Sequence, residues 1–414
     1  MRDVLPDEVG LRDHTLATIL DVYRRRGFTR IETPAVESLK LLTGGEGGEN
    51  EKLIFKILKR GERLTAARDG EELADLGLRF DLTVPLARYY ANNHARLPQP
   101  LKAIQIGPVW RAERPQHGRF RQFTQCDIDI LGVRSEVAEI ELILATADAL
   151  TALGLDDLTV RINDRRLLAA LARHCGFAEA RFDSVFIALD KLDKIDRAGV
   201  VNELLAEGHP PDAVSALMAL LGEAATAEEL AARLGDPAEA PVWRALGRII
   251  DTVSEAAGGR FRIVFDPTLV RGMSYYTGPI FEIRHGSVAS SIAGGGRYDR
   301  MIGKLLGREV PATGFSIGFE RVVNILMERR AAGAGPAKTA IVFDEDTAHL
   351  GTILAMAREL WDDGRVVLLE LRAKRFGKQL RELASRGFGR VVVFDAEGHP
   401  RDADLAAAEG EGAG

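Results

Sequence analysis

The feature that most constrains this chain is a two-residue alternation running from Arg119 to Ile130, within QIGPVWRAERPQHGRFRQFTQCDIDI (residues 105–130). Arg119, Arg121, Phe123, Gln125, Asp127 and Asp129 point one way. Phe120, Gln122, Thr124, Cys126, Ile128 and Ile130 point the other. A period of two is that of a strand with one mostly polar and one mostly apolar face. A second β-prone run precedes it across a loop holding Pro115 and Gly118. The polar face carries arginines at the loop end and carboxylates at the far end. That gradient suits a ligand with a phosphate at one end and an ammonium at the other, such as an amino acid beside ATP. An Arg-rich hairpin is also commonly a solvated hairpin with salt-bridged neighbours, and the pattern alone leaves the two readings about even.

Composition narrows the class. At 414 residues, 46% hydrophobic and 28% charged, the chain has room for two or three globular domains. It holds no apolar run near the ~20 residues of a membrane helix, and its start, MRDVLPDEVG, lacks the apolar segment of a secretory signal. Two cysteines, Cys126 and Cys175, indicate neither a disulfide framework nor a cysteine metal cluster. A reduced, cytoplasmic setting with no membrane association is expected. The net charge of −6 neither favours nor excludes nucleic acid, since a local basic face can bind phosphates on an acidic protein.

Along the chain, Leu16, Ile19, Leu20 and Tyr23 recur at helical spacing after Pro6. Arg24, Arg25 and Arg26 close that helix and Gly27 stops it. Phe28–Val36 reads as one strand, with Pro34 inside it marking an edge or interface. Residues 39–55 read as a Gly- and Glu-rich surface loop, and 59–77 as peripheral. The segment 78–90 passes from β to helical character. From about Asp164 to Gly259 the chain is Ala- and Leu-rich with helical periodicity, a helical insertion. Phe261–Phe265 and Ile280–Ile283 read as strands, and 312–326 as a Gly-rich strand entering a helix. A linker by composition spans 329–338. Beyond it, 340–395 reads as a βαβαβ unit with a parallel sheet, and the tail from Asp402 shows no core-forming pattern.

Four separated blocks carry a resemblance. The order Arg111-x-Glu113-Arg114-Pro115-x-x-Gly118-Arg119-x-Arg121-x-Phe123-x-Gln125 looks like the second signature motif of class II aminoacyl-tRNA synthetases, in its histidyl form. LRFDLTVPLAR (78–88) resembles a histidine-binding segment of that family. LVRGMSYYTGPIFE (269–282) with AGGGRYD (293–299) resembles its two specific segments, and GFSIGFERV (314–322) its third motif. Residues 28–36 match the first motif, which lies at a dimer interface. Single motifs give false positives; four in order are more specific. The resemblance covers nearly the whole chain. It implies an α+β fold: an antiparallel sheet of six or so strands with flanking helices, a helical insertion and a small C-terminal α/β domain. The expected division is 1–163 and 260–328 for the catalytic domain, 164–259 for the insertion, 329–338 for the linker and 339–414 for an anticodon-binding-like domain.

The reaction so implied is attack of the L-histidine carboxylate on the α-phosphorus of ATP, then transfer of histidine to tRNA(His), by a homodimer, with Mg2+ accompanying ATP. Positioning and cationic stabilisation would carry the rate; an arginine fork suits phosphate oxygens. By the resemblance, Arg111 and Arg271 are catalytic cations at the α-phosphate, Arg321 clamps the far phosphates, and Glu113 and Arg119 complete the ATP contacts. Asp81, Thr83 and Gln125 receive the ammonium; Asp129, Tyr276 and, beside it, Tyr275 reach the imidazole. Asp81 and Thr83 can equally cap a helix beginning at Val84-Pro85, and the tyrosines can equally be core aromatics. Gly294, Gly295 and Gly296 admit a close approach of backbone to ligand. Arg114 and Gln116 would meet the tRNA acceptor end, as would His117; Lys374, Arg375 and Lys378, with Arg372 and Arg381, would meet the anticodon stem-loop, or form a solvated helix face. No residues have metal-ligand spacing, His94, His117 and His285 included.

The match departs in places. Ser274 stands where the family commonly has aspartate, which deprives Arg271 of an orienting carboxylate, and the C-terminal domain stops early. Two paralogue readings follow. A regulatory subunit of ATP phosphoribosyltransferase shares the core fold but typically lacks the intact RGxxYYTG-type segment and the C-terminal domain. An amino-acid activator using a different carrier is the other.

Overall fold

The computed structural model describes residues 1–44, 49–67, 73–113, 120–192, 195–223, 226–271, 276–288, 290–330 and 338–405. The chain divides into two units, Met1–Leu326 and Met327–Gly414. Strands of the first are β1 (Thr29–Arg30), β2 (Val36–Ser38), β3 (Lys56–Leu58), β4 (Ala74–Leu78), β5 (Leu101–Trp110) and β6 (Gln122–Leu131). They continue with β7 (Leu158–Asp164), β8 (Arg262–Phe265), β9 (Pro279–His285), β10 (Ala293–Arg297) and β11 (Ala312–Gly318). Eight of them form one sheet in the order β1-β5-β6-β11-β10-β9-β7-β8. The six central strands, β5 to β7 in that order, pair antiparallel. Parallel strands are added at both edges, β1 on β5 and β8 on β7.

The sheet's apolar face makes the main core. Cys126, Ile128 and Ile130 of β6, Phe281 and Ile283 of β9, and Phe315 and Ile317 of β11 are buried there. Phe281 and Phe315 meet edge to face at 4.7 Å, a favoured aromatic geometry. Two helices cover this face. Pro6–Arg25 starts with proline at its first turn, carries Asp7 and Glu8 there and Arg24 and Arg25 in its last turn, the charge order that the helix dipole favours. Its buried face is Leu11, Thr15, Ile19 and Tyr23, one residue per turn. Gly27 ends it at φ +80°, a left-handed position suited to glycine. The second helix, Val137–Ala152, is fixed by a fully buried pair: Arg297 Nε and Nη2 donate to Glu139 at 2.6 and 2.9 Å.

Four sequence expectations change. The single strand over 28–36 is two short strands, with Pro34 between them, because β1 leaves β5 and β2 joins another sheet. That sheet, ordered β2-β4-β3, takes in part of the segment expected to be peripheral. Within 39–55, Leu42 and Ile54 are buried with Phe80, so the described part is packed through these apolar residues. Finally, helices fill 165–257, yet the last of them, Ala240–Ala257, places Val242, Leu246, Ile249 and Val253 in the main core. The separately packed cluster is built on helices between Arg165 and Leu234, with Leu269, Val270 and Ile280.

The second unit is a four-stranded sheet ordered β13-β12-β14-β15, from β12 (Lys338–Phe343), β13 (Val366–Leu371), β14 (Phe388–Phe394) and β15 (Pro400–Asp402). The first three are parallel, and helices Leu350–Asp362 and Phe376–Ser385 connect them. β15 runs antiparallel on β14, and Ala403 and Leu405 pack against the core of this unit, so the tail begins ordered.

Candidate active site

The opposite face of the eight-stranded sheet is polar, and strand register determines what it gathers. One row across the sheet reads Arg161, Glu282, Gly294, Ser316, Asp127, Gln105. The next reads Asn163, Ile280, Gly296, Gly314, Asp129, Ala103. Gln125 lies in a third, between Gly318 and Gly107. The glycines make room over the sheet. A Cβ at Gly294 would lie 1.8 Å from Arg271 Nη1, one at Gly296 2.9 Å from Tyr276 Cδ1, and one at Gly314 2.0 Å from Asp129 Oδ1. The close approach expected at Gly294 and Gly296 is therefore made by side chains of this chain.

The cationic part comes from three elements. Arg111 follows β5; its Nε donates to Phe80 O at 3.1 Å and its guanidinium lies 5.0 Å from the Phe123 ring centroid, within cation–π range. Arg271 follows buried Leu269 and Val270, whose backbone is pinned by Asn163 Nδ2 donating to Leu269 O at 3.1 Å. Its Nε donates to Glu282 at 3.1 Å and its Nη2 to Ser291 Oγ at 2.7 Å. Arg321, third residue of the helix Phe319–Arg330, donates to the carbonyl of the same Ser291. Ser291 thus joins two of the three arginines. Glu282 also accepts from Arg161 at 3.0 Å and from Arg284 at 2.9 Å. Burial opposes its ionisation, but Arg271, Arg284 and Arg161 outweigh burial and hold its carboxyl below the usual range. Beside Arg321, Glu320 accepts from Arg12 at 2.5 and 2.9 Å and from the Thr124 amide at 3.0 Å, tying β6 to this helix.

The acidic part is buried. Asp81 Oδ1 accepts from the Val84 amide at 3.1 Å, so the helix Thr83–Asn93 is capped by Asp81, while Thr83 is its buried first residue. Burial lifts the Asp81 carboxyl to about 6, with the Val84 amide and Arg111 opposing. Asp129 accepts from the Tyr298 hydroxyl at 2.5 Å; burial lifts it to about 7 despite that bond. Gln125 Nε2 donates to Ser316 Oγ at 3.3 Å. Tyr276 is half-buried, packed at Gly296.

The fold therefore gathers most of the predicted residues on one face: Gln125 and Asp129 by β6, Tyr276 at Gly296, Arg271 over Gly294. Asp81 is beside Arg111, near enough for the cation to lower its carboxyl. Glu113 is exposed, with its carbonyl accepting from Arg121 Nε at 3.0 Å. Arg114, Gln116, His117, Arg119, Ser274 and Tyr275 lie outside the described residues. In the second unit Lys374, Arg375 and Lys378 are exposed. Sequence reasoning passed over Asp127, Glu282, Ser291, Tyr298 and Ser316. The alternation already placed Asp127 on the polar face; Ser291 carried no signal. Among the described residues no group of three His, Cys, Asp or Glu could hold a metal ion, and no helix is long and apolar enough to cross a membrane.

An antiparallel sheet of this order, helix-backed on one side and bearing arginines and buried carboxylates on the other, is that of a class II aminoacyl-tRNA synthetase. A family model described as histidyl-tRNA synthetase matches residues 1–322, and the chain belongs to that family. It is 49% identical, over 96% of its length and 94% of the relative's, to histidine–tRNA ligase of Leifsonia xyli. It is 36% identical, over 99% of its length and 90% of the relative's, to that of Aeropyrum pernix. Histidyl-tRNA synthetase from a Nostoc species superposes with TM-score 0.79 at 27% identity, over 99% of this chain and 96% of that one. A Bacillus halodurans structure titled ATP phosphoribosyltransferase regulatory subunit/histidyl-tRNA synthetase shares the fold, at TM-score 0.76 and 24% identity over 95% of this chain and 96% of that one.

Proposed function

We propose that this chain activates L-histidine with ATP to histidyl-adenylate and pyrophosphate, then transfers histidine to the 3′ end of tRNA(His). The observation that carries the proposal is the single polar face, where Arg271 stands over Gly294 of β10 and β6, two strands away, presents Gln125 and Asp129. As the carboxylate attacks the α-phosphorus, negative charge gathers on the α-phosphoryl oxygens. Arg111 and Arg271 stabilise it, and Arg321 holds the far phosphates, with Glu113 and Arg119 as further ATP contacts. Pre-organised cations reduce reorganisation during the step; Ser291 and Glu282 supply that order here. Asp81, Thr83 and Gln125 bind the ammonium. Asp129 and Tyr276, with Tyr275 beside it, bind the imidazole, whose two nitrogens match a carboxylate and a phenol.

Glu282 and Glu320, near the arginines, are both engaged by arginine; a Mg2+ accompanying ATP would be held largely by phosphate oxygens. Arg114 and Gln116 take the tRNA acceptor end, and Lys374, Arg375 and Lys378 its anticodon arm. The enzyme is a cytoplasmic homodimer joined around β1 and β2; exposed Val36, Leu58 and Leu76 on the neighbouring sheet support this. The catalytic domain comprises 1–163 and 260–328, with an insertion at 164–259 whose last helix packs into the main core, a linker at 329–338 and an anticodon-binding-like domain at 339–414.

Histidine-dependent pyrophosphate exchange followed by transfer to tRNA tests the reading. Exchange and transfer are expected. Absence of exchange overturns the enzyme reading in favour of a regulatory role, and exchange without transfer selects a different carrier.

A further inference from the structure

Asp127 is a buried carboxylate without an assigned task. It is 4% exposed, and its Oδ1 has no hydrogen-bond partner. It sits between Gln125 and Asp129 on the ligand-facing side of β6. The Oε1 of Gln125 is likewise buried and unpartnered. An unpaired polar atom inside a protein is costly, and two on one face, two residues apart, mark a place completed by something else.

The neighbours do not complete it. Gln105, directly opposite on β5, donates to Leu82 O at 2.9 Å and accepts from Thr33 Oγ1 at 3.0 Å. Ser316, opposite on β11, hydrogen-bonds the Asp127 carboxyl, which leaves Oδ1 over. Asp129 is engaged by Tyr298. The charges that face Asp127 are Asp129 on its own strand, Asp81 before the helix Thr83–Asn93, and the cations Arg111 and Arg79. Tyr276 faces it from the segment before β9. Arg79 directs its fork away, to the carbonyls of Thr33, Pro34 and Pro108. What is missing is a donor bearing positive charge.

We propose that Asp127 is a specificity-determining residue whose Oδ1 joins Asp81, Thr83 and Gln125 in receiving the ammonium of the bound amino acid. An ammonium has three donors and no acceptor, and the two unpartnered oxygens, Asp127 Oδ1 and Gln125 Oε1, stand on one face of β6, with Asp81 near enough for its charge to act on Asp127. This rests on the histidine-activating reading and adds to it a carboxylate that pays attention to the ammonium rather than the ring. A linked proton follows. In the empty pocket, burial and then the charge of Asp129 hold the Asp127 carboxyl well above its usual range, and an ammonium beside it favours the ionised form. A proton held on the carboxyl then leaves for solvent as the ammonium enters; charge balances, since one positive charge enters and one departs.

Calorimetric titration of the full chain with L-histidine at pH 8, in two buffers of different ionisation heat, counts the protons released. The wild type should release more protons per histidine than Asp127→Asn. The variant should bind histidine about 30-fold or more weakly, by the loss of one member of a buried charged pair. It should also lose most of the preference for histidine over 3-(imidazol-4-yl)propionate, which has no ammonium. Unchanged affinity and proton count in the variant overturn the proposal, as does zero proton release by the wild type, a result readable even if the variant does not fold. Failure of the wild type to bind histidine at all would instead strike the histidine-activating reading.

Discussion

Arg271, in the first unit, donates to Glu282 and Ser291 and lies over Gly294, where no side chain competes for the space. Lys374 and Arg375, in the second, are exposed at the start of the helix Phe376–Ser385, with Arg372 4.9 Å from the Phe376 ring centroid and Lys378 3.5 Å from Glu382. The contrast separates two uses of cations. A phosphorus centre that changes charge during reaction needs cations already in place. A long polyanion that is only held needs charge at the surface, where side chains can adjust and counterions can be released. Under the proposed function, placement by glycine, carboxylate and serine would serve the first use, and a solvated cluster the second.

The most severe way to break this contrast is to remove the ordered cation. Arg271→Ala should reduce histidine-dependent pyrophosphate exchange by about 10³-fold, by analogy with loss of one oxyanion donor, with circular dichroism and oligomeric state unchanged. Exchange within a few-fold of wild type would deny Arg271 its role. A finer test keeps the cation and removes its holder. Glu282→Gln preserves volume and loses the carboxylate that Arg161, Arg271 and Arg284 share. Exchange should fall by about 10²-fold, the scale of a misplacement near 1 Å, and chiefly in kcat. A loss confined to the KM for ATP would mean that Glu282 acts only on binding.

The sequence made much of this legible, and unevenly. Alternation from Arg119 to Ile130 gave the polar face of β6, because a strand's period depends on local pattern alone. The resemblance gave Arg111, Arg271 and Asp129. Ser274, where the family commonly has aspartate, lies outside the described residues; among the described residues a carboxylate from further along the chain, Glu282 on β9, pairs with Arg271. Ser291 was invisible, since its work is done partly by a backbone carbonyl. Pro34 was read inside a strand, where it sits between two, because a local pattern does not say which sheet each end will join. The packed loop around Leu42 and Ile54 was hidden because its apolar residues are few and find partners only in three dimensions.

Buried carboxyls in the first unit and exposed cations in the second should also differ under pH. Burial raises the Asp81 and Asp129 carboxyls to about 6 and about 7, against an ordinary value near 4 in the unfolded chain. The folded state therefore holds more protons than the unfolded state between about pH 4 and pH 7, and stability falls as pH rises through that window. In the ligand-free protein, melting temperature should decline from pH 5 to pH 7.5, and Asp129→Asn should flatten the decline. A profile that rises over this range, or an unchanged slope in the variant, would place the burial of these carboxyls in error.

The smallest effect should come from the solvated cluster. Replacing Lys374, Arg375 and Lys378 together with alanine removes up to three phosphate contacts from the proposed tRNA surface. The slope of log affinity for tRNA against log salt should become shallower by about 2, at roughly 0.7–0.9 per contact, while pyrophosphate exchange stays at the wild-type level. These side chains are exposed, so no buried partner is left unsatisfied and stability should change little. A slope identical to wild type would return the cluster to an ordinary solvated helix face. A drop in exchange would be more damaging, because the two uses of cations would then not be separable, and order in one unit would depend on charge in the other.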